Sequence, residues 1–248
     1  MKGFVQKVLV APGLGMICVL AAGFFTILQG YVAAPSTLRQ AYLHPMPLEV
    51  ANLTPDQQQL LLKVQDPNFY AHSGADFSAS ASGWTTITEG LVKQLYFKQF
   101  HPGFLHLGKM RQILLAIGIN RRVPKDEQLR LFINRVYLGN VDGRLVYGFE
   151  DAAHAYYGKQ FAGLTRQEYV SLVATIVAPA EFNPATHRQE NQERSARIER
   201  LVKGECASSG KSDVFYRGCA KLGAFTLRMA FRTTFAGKEE LQSSAFEP

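Results

Sequence analysis

The chain has 248 residues, of which 47% are hydrophobic, and a formal net charge of +7 at pH 7. This length and apolar content suit one or two domains with a buried core and exclude an intrinsically disordered protein. The positive charge is not accompanied by a nucleic-acid recognition motif or by a basic stretch interleaved with aromatic residues. We therefore expect no nucleic-acid partner, and a basic surface that meets anionic lipid head groups or pyrophosphates.

The first predicted element is a membrane anchor. Residues 8–28 contain no charged side chain, and such a run is long enough to cross a bilayer core as a helix. Lys2 and Lys7 precede it, so the N-terminus is expected in the cytoplasm. We predict a cytoplasmic stub and a retained single-pass anchor in residues 1–35. A signal peptide cleaved after residues 32–34 is the alternative, which the length of the apolar run disfavours.

The first helix of the remaining chain has clear end signals. Thr54 is a capping residue, Pro55 suits the first helical position, and Gln57 supplies the reciprocal side chain of a capping box. Pro67 ends the helix. Gln65 is therefore expected at the C-terminal end of this helix, pointing into the loop that follows.

Four more helices are predicted downstream: from a capping box at Thr86 and Glu89 through Phe97, at about 109–120, from Pro124, and from a cap at Thr165. The last three repeat apolar residues at the spacing of a helix face: Met110, Ile113, Leu114 and Ile117; Leu129, Phe132, Ile133 and Val136; Tyr169, Leu172, Val173 and Ile176. No segment alternates over the length of a strand. The predicted fold class is therefore mainly α.

The helical pattern weakens from about Gly204, and residues 204–248 are expected to form a C-terminal extension. Cys206 and Cys219 would form a disulfide in an oxidising compartment, and two unpaired thiols are the alternative. The end of the chain has basic and aromatic residues that suit a short amphipathic helix, either packed on the core or lying on a membrane: Phe225, Arg228, Phe231, Arg232 and Phe235.

One segment resembles a known catalytic motif. Residues 63–74 read Lys-Val-Gln-Asp-Pro-Asn-Phe-Tyr-Ala-His-Ser-Gly. They resemble the first motif of the peptidoglycan glycosyltransferases (glycosyltransferase family 51), Glu-Asp-x-x-Phe-x-x-His-x-Gly, except that Gln65 stands where the family has its catalytic base, a glutamate.

Four further segments resemble motifs of the same family in the expected order. Residues 83–95 are similar to Gly-x-Ser-Thr-Ile-Thr-Gln-Gln-Leu-x-Lys-Asn-Leu, residues 109–116 to Lys-x-x-Glu-x-x-Leu-Ala, residues 125–134 to Lys-x-x-Ile-Leu-x-x-Tyr-Leu-Asn, and residues 148–184 to the last conserved segment. The resemblance implies a lysozyme-like, two-lobed glycosyltransferase domain at residues 36–203, following a transmembrane helix.

The family joins lipid-linked disaccharides of the lipid II type, and undecaprenyl pyrophosphate is the leaving group. This reaction needs a carboxylate base, cations at the pyrophosphate and a groove open to the membrane. Gln65 and Gln112 replace both family glutamates, and an amide cannot accept a proton at neutral pH. Glu89 stands where the family has glutamine and is a candidate relocated base; a capping residue is the alternative.

The resemblance also implies substrate-binding residues: Asp66, Phe69, His72, Thr85, Thr86, Thr88, Lys93 and Lys109. The two lysines align with lysines of the family and are candidates for contact with pyrophosphate; solvated helix lysines are the alternative. Gly108 stands where the family has arginine, which removes one expected cation. No cofactor or metal site is predicted, although a divalent cation at the pyrophosphate is compatible with this site.

These features predict a bacterial inner-membrane protein with its domain on the periplasmic or extracytoplasmic face. We expect it to bind a lipid-linked glycan or growing strand without classical polymerase chemistry. One alternative is an active glycosyltransferase that uses Glu89 or a substrate-derived base. Another is a non-catalytic interaction protein that joins other cell-wall synthesis proteins. A lysozyme-like hydrolase is disfavoured because it would need the same missing acids.

Overall fold

The computed structural model describes residues 2–78, 85–97, 107–210 and 212–220, and gives only the backbone for residues 2–14. Within these ranges the helices are α1 (Lys2–Ala41), α2 (Pro55–Gln65), α3 (Ile87–Tyr96), α4 (Leu107–Asn120), α5 (Lys125–Arg135), α6 (Phe149–Tyr157), α7 (Arg166–Thr175) and α8 (Arg188–Lys203). The described fold also has two strands, β1 (Tyr137–Val141) and β2 (Arg144–Tyr147), and short 3₁₀ helices at Val50–Asn52, Phe161–Gly163 and Arg217–Cys219. The predicted mainly α fold class is confirmed.

The N-terminal helix α1 is a single continuous element. Its Gly15–Ala41 part is long and apolar enough to cross a membrane, by length and composition. The helix continues without a break across the predicted boundary at residue 35. Near its C-terminal end, Ala34 and Ala41 are buried in the cores of the domain. The apolar helix predicted at the N-terminus is thus present and packs directly against the rest of the protein.

α1 crosses α4 at a contact between glycines. A Cβ atom on Gly118 would lie 2.1 Å from the carbonyl oxygen of Ile27, and one on Gly30 would lie 2.6 Å from the carbonyl oxygen of Leu115. Because a hydrogen is the largest side chain that fits there, the two helix backbones touch. Helix α1 is therefore packed closely on the helix that carries Lys109 and Gln112.

The described residues form two hydrophobic cores. The larger one joins α2, α5, α6, α7 and α8, and includes Leu61, Leu129, Phe149, Leu172 and Ile198. The smaller one consists of Ala34, Val92, Leu115, Ala116, Ile119 and Val123. Helix α3 contributes to both, with Leu91 in the larger core and Val92 in the smaller. The residues at the start of α3 are consequently held between two packed units.

The apolar residues predicted to share one face of α4, Met110, Ile113, Leu114 and Ile117, are not its most buried residues. Met110, the first residue of that face, is 52% exposed, and the other three are only partly buried. The buried residues are Gln112, Leu115, Ala116, Gly118 and Ile119. Helix α1 contacts α4 at Gly118, so the side of α4 that carries this glycine is buried and the side that carries Met110 is not.

A β-hairpin contradicts the prediction that the chain has no strand. β1 and β2 pair antiparallel, with Tyr137 opposite Tyr147 and Val141 opposite Arg144. The connecting Asp142 and Gly143 both have positive φ, as a tight hairpin turn requires. The Asp-Gly pair is a sequence signal for such a turn, but the flanking strands are too short to show a clear alternation.

The predicted helix starting at Pro124 corresponds to α5, and the one capped by Thr165 corresponds to α7. Helices α6 and α8 were not predicted; α8 is highly polar and buries few side chains. After α8, Cys206 and Cys219 form a disulfide, with their Cα atoms 5.4 Å apart. The predicted amphipathic helix near residues 225–235 lies outside the described residues.

Candidate ligand-binding site

Gln65 lies where the sequence places it, at the C-terminal end of α2. The helix begins with a complete capping box, in which the Thr54 hydroxyl accepts from the Gln57 N–H and the Gln57 side chain accepts from the Thr54 N–H. Its apolar face is buried in the larger core. Gln65 is partly exposed, and its side chain makes no hydrogen bond to the residues in the described ranges.

Asp66 holds the loop after α2 against the start of α3. Its carboxylate is 1% exposed and lies 2.9 and 3.0 Å from Nε2 of His72. It also accepts from the backbone N–H of Ile87 at 2.9 Å. Nδ1 of His72 accepts from the N–H of Gly74, so the hydrogen of the ring is on Nε2 and is donated to Asp66. A carboxylate at a helix N-terminus is also favoured by the helix dipole.

Thr86 also connects the loop after α2 to α3. Its hydroxyl donates to the carbonyl oxygen of Gly74 at 2.7 Å and accepts from the backbone N–H of Glu89 at 3.1 Å. Thr86 is therefore the N-cap of α3, as predicted. The start of the second motif, residues 83–84, lies outside the described residues.

Two of the predicted substrate-binding residues are buried in the protein core. Thr88 is 0% exposed and donates to the side-chain oxygen of Gln128 at 2.6 Å, which joins α3 to α5. Phe69 is 1% exposed. Both side chains are thus as buried as those of Asp66 and Gln112. Their roles in substrate binding stay predictions.

Glu89 forms a buried ion pair with Lys109. The Glu89 residue is 2% exposed, and its Oε2 atom lies 2.5 Å from Nζ of Lys109. Lys109 also donates to the hydroxyl of Thr85, which is exposed, at 3.2 Å. Burial raises the pKa of the Glu89 carboxyl, while the hydrogen bond from Lys109 acts in the opposite direction. Glu89 therefore does not complete a capping box, because its side chain is bound to Lys109.

Gln112 has a defined hydrogen bond in the same cluster. It is 1% exposed, and its Nε2 atom donates to the backbone carbonyl oxygen of Glu89 at 2.8 Å. A carboxylate at this position could not donate that bond. The amide thus links α4 to α3 by a contact that the family's glutamate, when ionised, cannot make.

The described site therefore brings together most of the residues predicted from the motifs. We call it the polar cluster: Asp66, His72, Glu89, Lys109 and Gln112. Thr85, Lys93 and part of Lys109 are the exposed polar groups around it. Lys93 lies one helical turn after Glu89 on α3, and residues four apart share a helix face.

Lys125 is a residue of this region that the sequence reasoning did not single out. Its Nζ atom is buried, lies 4.5 Å from the ring centre of Phe69, and has no hydrogen-bond partner in the described part of the chain. Burial lowers the pKa of Lys125 to about 8, and the charge of Asp66 opposes this shift. Lys125 is the first residue of the fourth motif, and this position could have identified it as a candidate site residue from the sequence.

Among the residues in the described ranges, no group of three or more His, Cys, Asp or Glu side chains could hold a metal ion. The polar cluster has one histidine and two acids, but Asp66 is used by His72 and Ile87, and Glu89 by Lys109. These donors do not form a metal site. A divalent cation bound together with a pyrophosphate stays a prediction.

Comparison with known proteins identifies the family. A family model described as Transglycosylase matches residues 36–203, which is more than half of the chain. The chain belongs to the transglycosylase family. The resemblance to the peptidoglycan glycosyltransferases is thereby confirmed.

The matched segment is a different fraction of each relative's length. Penicillin-binding protein 1A of Pseudomonas aeruginosa is 34% identical over 171 residues, which are 63% of this chain and 20% of that protein. Penicillin-binding protein 1A of Escherichia coli is 31% identical over 152 residues, 56% of this chain and 17% of that protein. A Cupriavidus necator protein, whose name assigns it provisionally to the transglycosylases, is 28% identical over 166 residues, 62% of this chain and 69% of that protein.

The chain thus spans about a fifth of the length of the penicillin-binding proteins that it matches. Together with the family match, these relatives indicate a peptidoglycan glycosyltransferase-like protein. The apolar helix α1 is consistent with membrane anchoring.

Proposed function

We propose that this protein is anchored in the bacterial inner membrane and binds a lipid-linked glycan of the lipid II type, or a growing strand, without polymerising it by the carboxylate mechanism. The observation that carries the proposal is the hydrogen bond from Gln112 to the Glu89 carbonyl. It uses the amide of Gln112 as a donor at the position where the family has an acid. The residue therefore has a structural role that does not depend on proton transfer.

The binding half of the proposal rests on the exposed groups around the polar cluster. Lys93 and Lys109 supply positive charge, and Thr85 supplies a hydroxyl at the surface. A pyrophosphate would compete with Glu89 for Lys109, and cations of this kind are suited to phosphate oxygens. Helix α1 would hold the site close to the membrane in which a polyprenyl-linked substrate resides.

The non-catalytic half rests on the state of the three positions at which a base is expected: Gln65, Glu89 and Gln112. Loss of a general base costs on the order of 10² to 10⁴ in rate. Gln65 and Gln112 are both amides, and the carboxylate of Glu89 is engaged by Lys109. The groups expected to move protons are therefore either absent or held in another contact.

A second candidate function is an active glycosyltransferase in which Glu89 is the base. The observation that favours it is the raised pKa of Glu89, since burial of a carboxylate also raises its basicity. This function requires Lys109 to leave Glu89 when substrate binds. A third candidate, an interaction protein of a cell-wall assembly complex with a vestigial site, predicts no binding of lipid II at all.

One experiment separates these functions. The full-length chain in lipid nanodiscs is assayed for binding of lipid II and of the groove-directed inhibitor moenomycin, and for formation of glycan strands from lipid II. We expect the wild-type chain to bind both lipid II and moenomycin and to form no glycan strands. Long glycan strands from the wild-type chain would refute the proposal. Strands that disappear in Glu89→Gln would establish the second function, and failure to bind either ligand would favour the third.

Variants that introduce glutamate at positions 65 and 112 show whether the missing carboxylates are the only groups that the site lacks for catalysis. Gln65→Glu is the first variant to assay, because Gln65 is partly exposed and makes no hydrogen bond within the described residues. The double variant with Gln112→Glu follows. Lys109→Met serves as the binding control and should weaken moenomycin binding if Lys109 contacts the ligand.

A further inference from the structure

The C-terminal extension contacts the helix that ends at Gln65. The last carbonyl groups of a helix have no partner within the helix. In α2 one of them, the carbonyl oxygen of Val64, accepts a hydrogen bond from the hydroxyl of Tyr216 at 2.6 Å. Val64 is 3% exposed and Tyr216 is 1% exposed, so water does not replace this bond. Tyr216 lies beyond residues 36–203, the part matched by the family model.

Tyr216 is held firmly in this position. Its backbone has a left-handed φ of 54°, which is uncommon for a residue other than glycine. The guanidinium of Arg194, a residue only 1% exposed, lies 5.3 Å from the centre of the Tyr216 ring. Arg194 also donates to the carbonyl oxygens of Val214 and Ala174, which fixes its own orientation.

The segment around Tyr216 is closed by the disulfide. We call residues 206–219 the disulfide loop; residue 211 lies outside the described part. Besides the bond between Cys206 and Cys219, two arginines of α8 hold the loop. Arg197 donates to the carbonyl oxygen of Phe215, and Arg200 donates to that of Cys219. The loop and α8 therefore form one connected unit from which the Tyr216 hydroxyl reaches α2.

The end of α2 connects this unit to the polar cluster. Val64 is two residues before Asp66, whose carboxylate binds both His72 and the start of α3. We propose that the disulfide loop is a positioning element for the ligand-binding site, with Tyr216 as the positioning residue. This inference rests on the proposed function for its effect on ligand affinity. Breaking the bond from Tyr216 to Val64, or opening the disulfide, should shift Asp66 and His72 and weaken ligand binding.

The first test measures affinity. The full-length chain in nanodiscs is titrated with moenomycin as wild type, as Tyr216→Phe and as disulfide-reduced wild type. Tyr216→Phe is expected to weaken binding by up to about tenfold, because the free energy of one hydrogen bond sets the largest effect that its loss can transmit to the site. The matched control is Tyr157→Phe, which removes a hydroxyl that donates to Ser171 at 2.7 Å, away from the polar cluster. It should bind as the wild type does, at a temperature at which all variants are folded.

The second test measures the polar cluster without a ligand. In ¹⁵N-histidine-labelled protein, the Nε2–H resonance of His72, assigned with His72→Gln, reports its bond to Asp66. We expect this resonance to move in Tyr216→Phe and on reduction, and to stay in place in Tyr157→Phe. If Tyr216→Phe does not fold, the reduced wild type provides the same comparison.

The two tests together distinguish the possible failures. An unchanged His72 resonance in both perturbed proteins, with only a lower unfolding temperature, would show that the loop merely stabilises the fold and would overturn the inference. A shifted resonance with unchanged affinity would also overturn it, because the loop would not affect binding. If the wild type itself does not bind moenomycin, the proposed function loses its support, while the resonance still decides whether the loop positions His72.

Discussion

The side-chain amide of Gln112 donates a hydrogen bond to the backbone carbonyl of Glu89 across 2.8 Å. The bond joins α4 to α3 inside the polar cluster, where both residues are buried. Position 112 therefore requires a hydrogen-bond donor. An ionised glutamate introduced there could not donate this bond.

Gln112→Glu should destabilise the protein. At neutral pH the new carboxylate would face the Glu89 carbonyl oxygen, and burying a charge against an acceptor is expected to cost about 3 kcal/mol. Protonation would restore the donor, so the loss should be smaller in acid than at neutral pH. The measurement is urea unfolding of the full-length chain in detergent at both pH values. Gln65→Glu is the control and should change the free energy of unfolding by less than about 1 kcal/mol; equal losses in both variants would contradict this explanation.

Glu89→Gln should change the pH dependence of stability. Burial raises the pKa of Glu89 above its ordinary value of 4.5, so the folded state keeps this proton to a higher pH than the unfolded state. The folded state then loses stability as the pH rises through that window. Relative to the wild type, Glu89→Gln should gain stability as the pH increases above about 4.5. Unfolding curves across this range measure the difference, and the opposite slope would mean that the bond to Lys109 outweighs burial.

Lys125→Met should remove a destabilising charge. Burial lowers the pKa of Lys125 to about 8 from an ordinary value of 10.5, so the unfolded state binds this proton more tightly. The wild type should therefore gain stability relative to the variant as the pH rises from about 8 to about 10.5. With solvent screening, we expect this gain to be on the order of 1 to 2 kcal/mol. Methionine can keep the contact with Phe69. Parallel pH profiles for the two proteins would refute the prediction.

Gly118→Ala should loosen the contact between α1 and α4. Its Cβ atom would lie 2.1 Å from the carbonyl oxygen of Ile27, so the backbones must separate. We expect a loss of about 2 kcal/mol. Gly90→Ala is a matched control in α3, because its Cβ would meet only the Phe132 ring at 3.9 Å. Alanine is the better helix former, so this control should gain about 0.5 to 1 kcal/mol. The unfolding temperatures of the wild type and both variants are compared in the same detergent. Equal changes in the unfolding temperature for the two variants would contradict the proposed glycine contact.

Much of the fold was predictable because its signals are local. The capping box of Thr54 and Gln57 joins residues three positions apart, and it forms as predicted. The apolar spacing on α5 is also a property of one helix, and Leu129 and Ile133 are fully buried. The hairpin at Asp142 and Gly143 was missed because its strands are short, although the turn itself has a recognisable signal.

The sequence by itself determined the family, the mainly α fold, the apolar N-terminal helix and the positions of Gln65 and Gln112. Tertiary structure decided which contacts Gln112 and the residues around it make. Gln112 and Glu89 are 23 residues apart, and Tyr216 and Val64 are 152 apart. No local periodicity or cap specifies such pairs, because each depends on how two separately formed helices or loops pack. Packing also placed Thr88 in the core, brought Lys109 to Glu89, and set the glycines of α1 and α4 against each other.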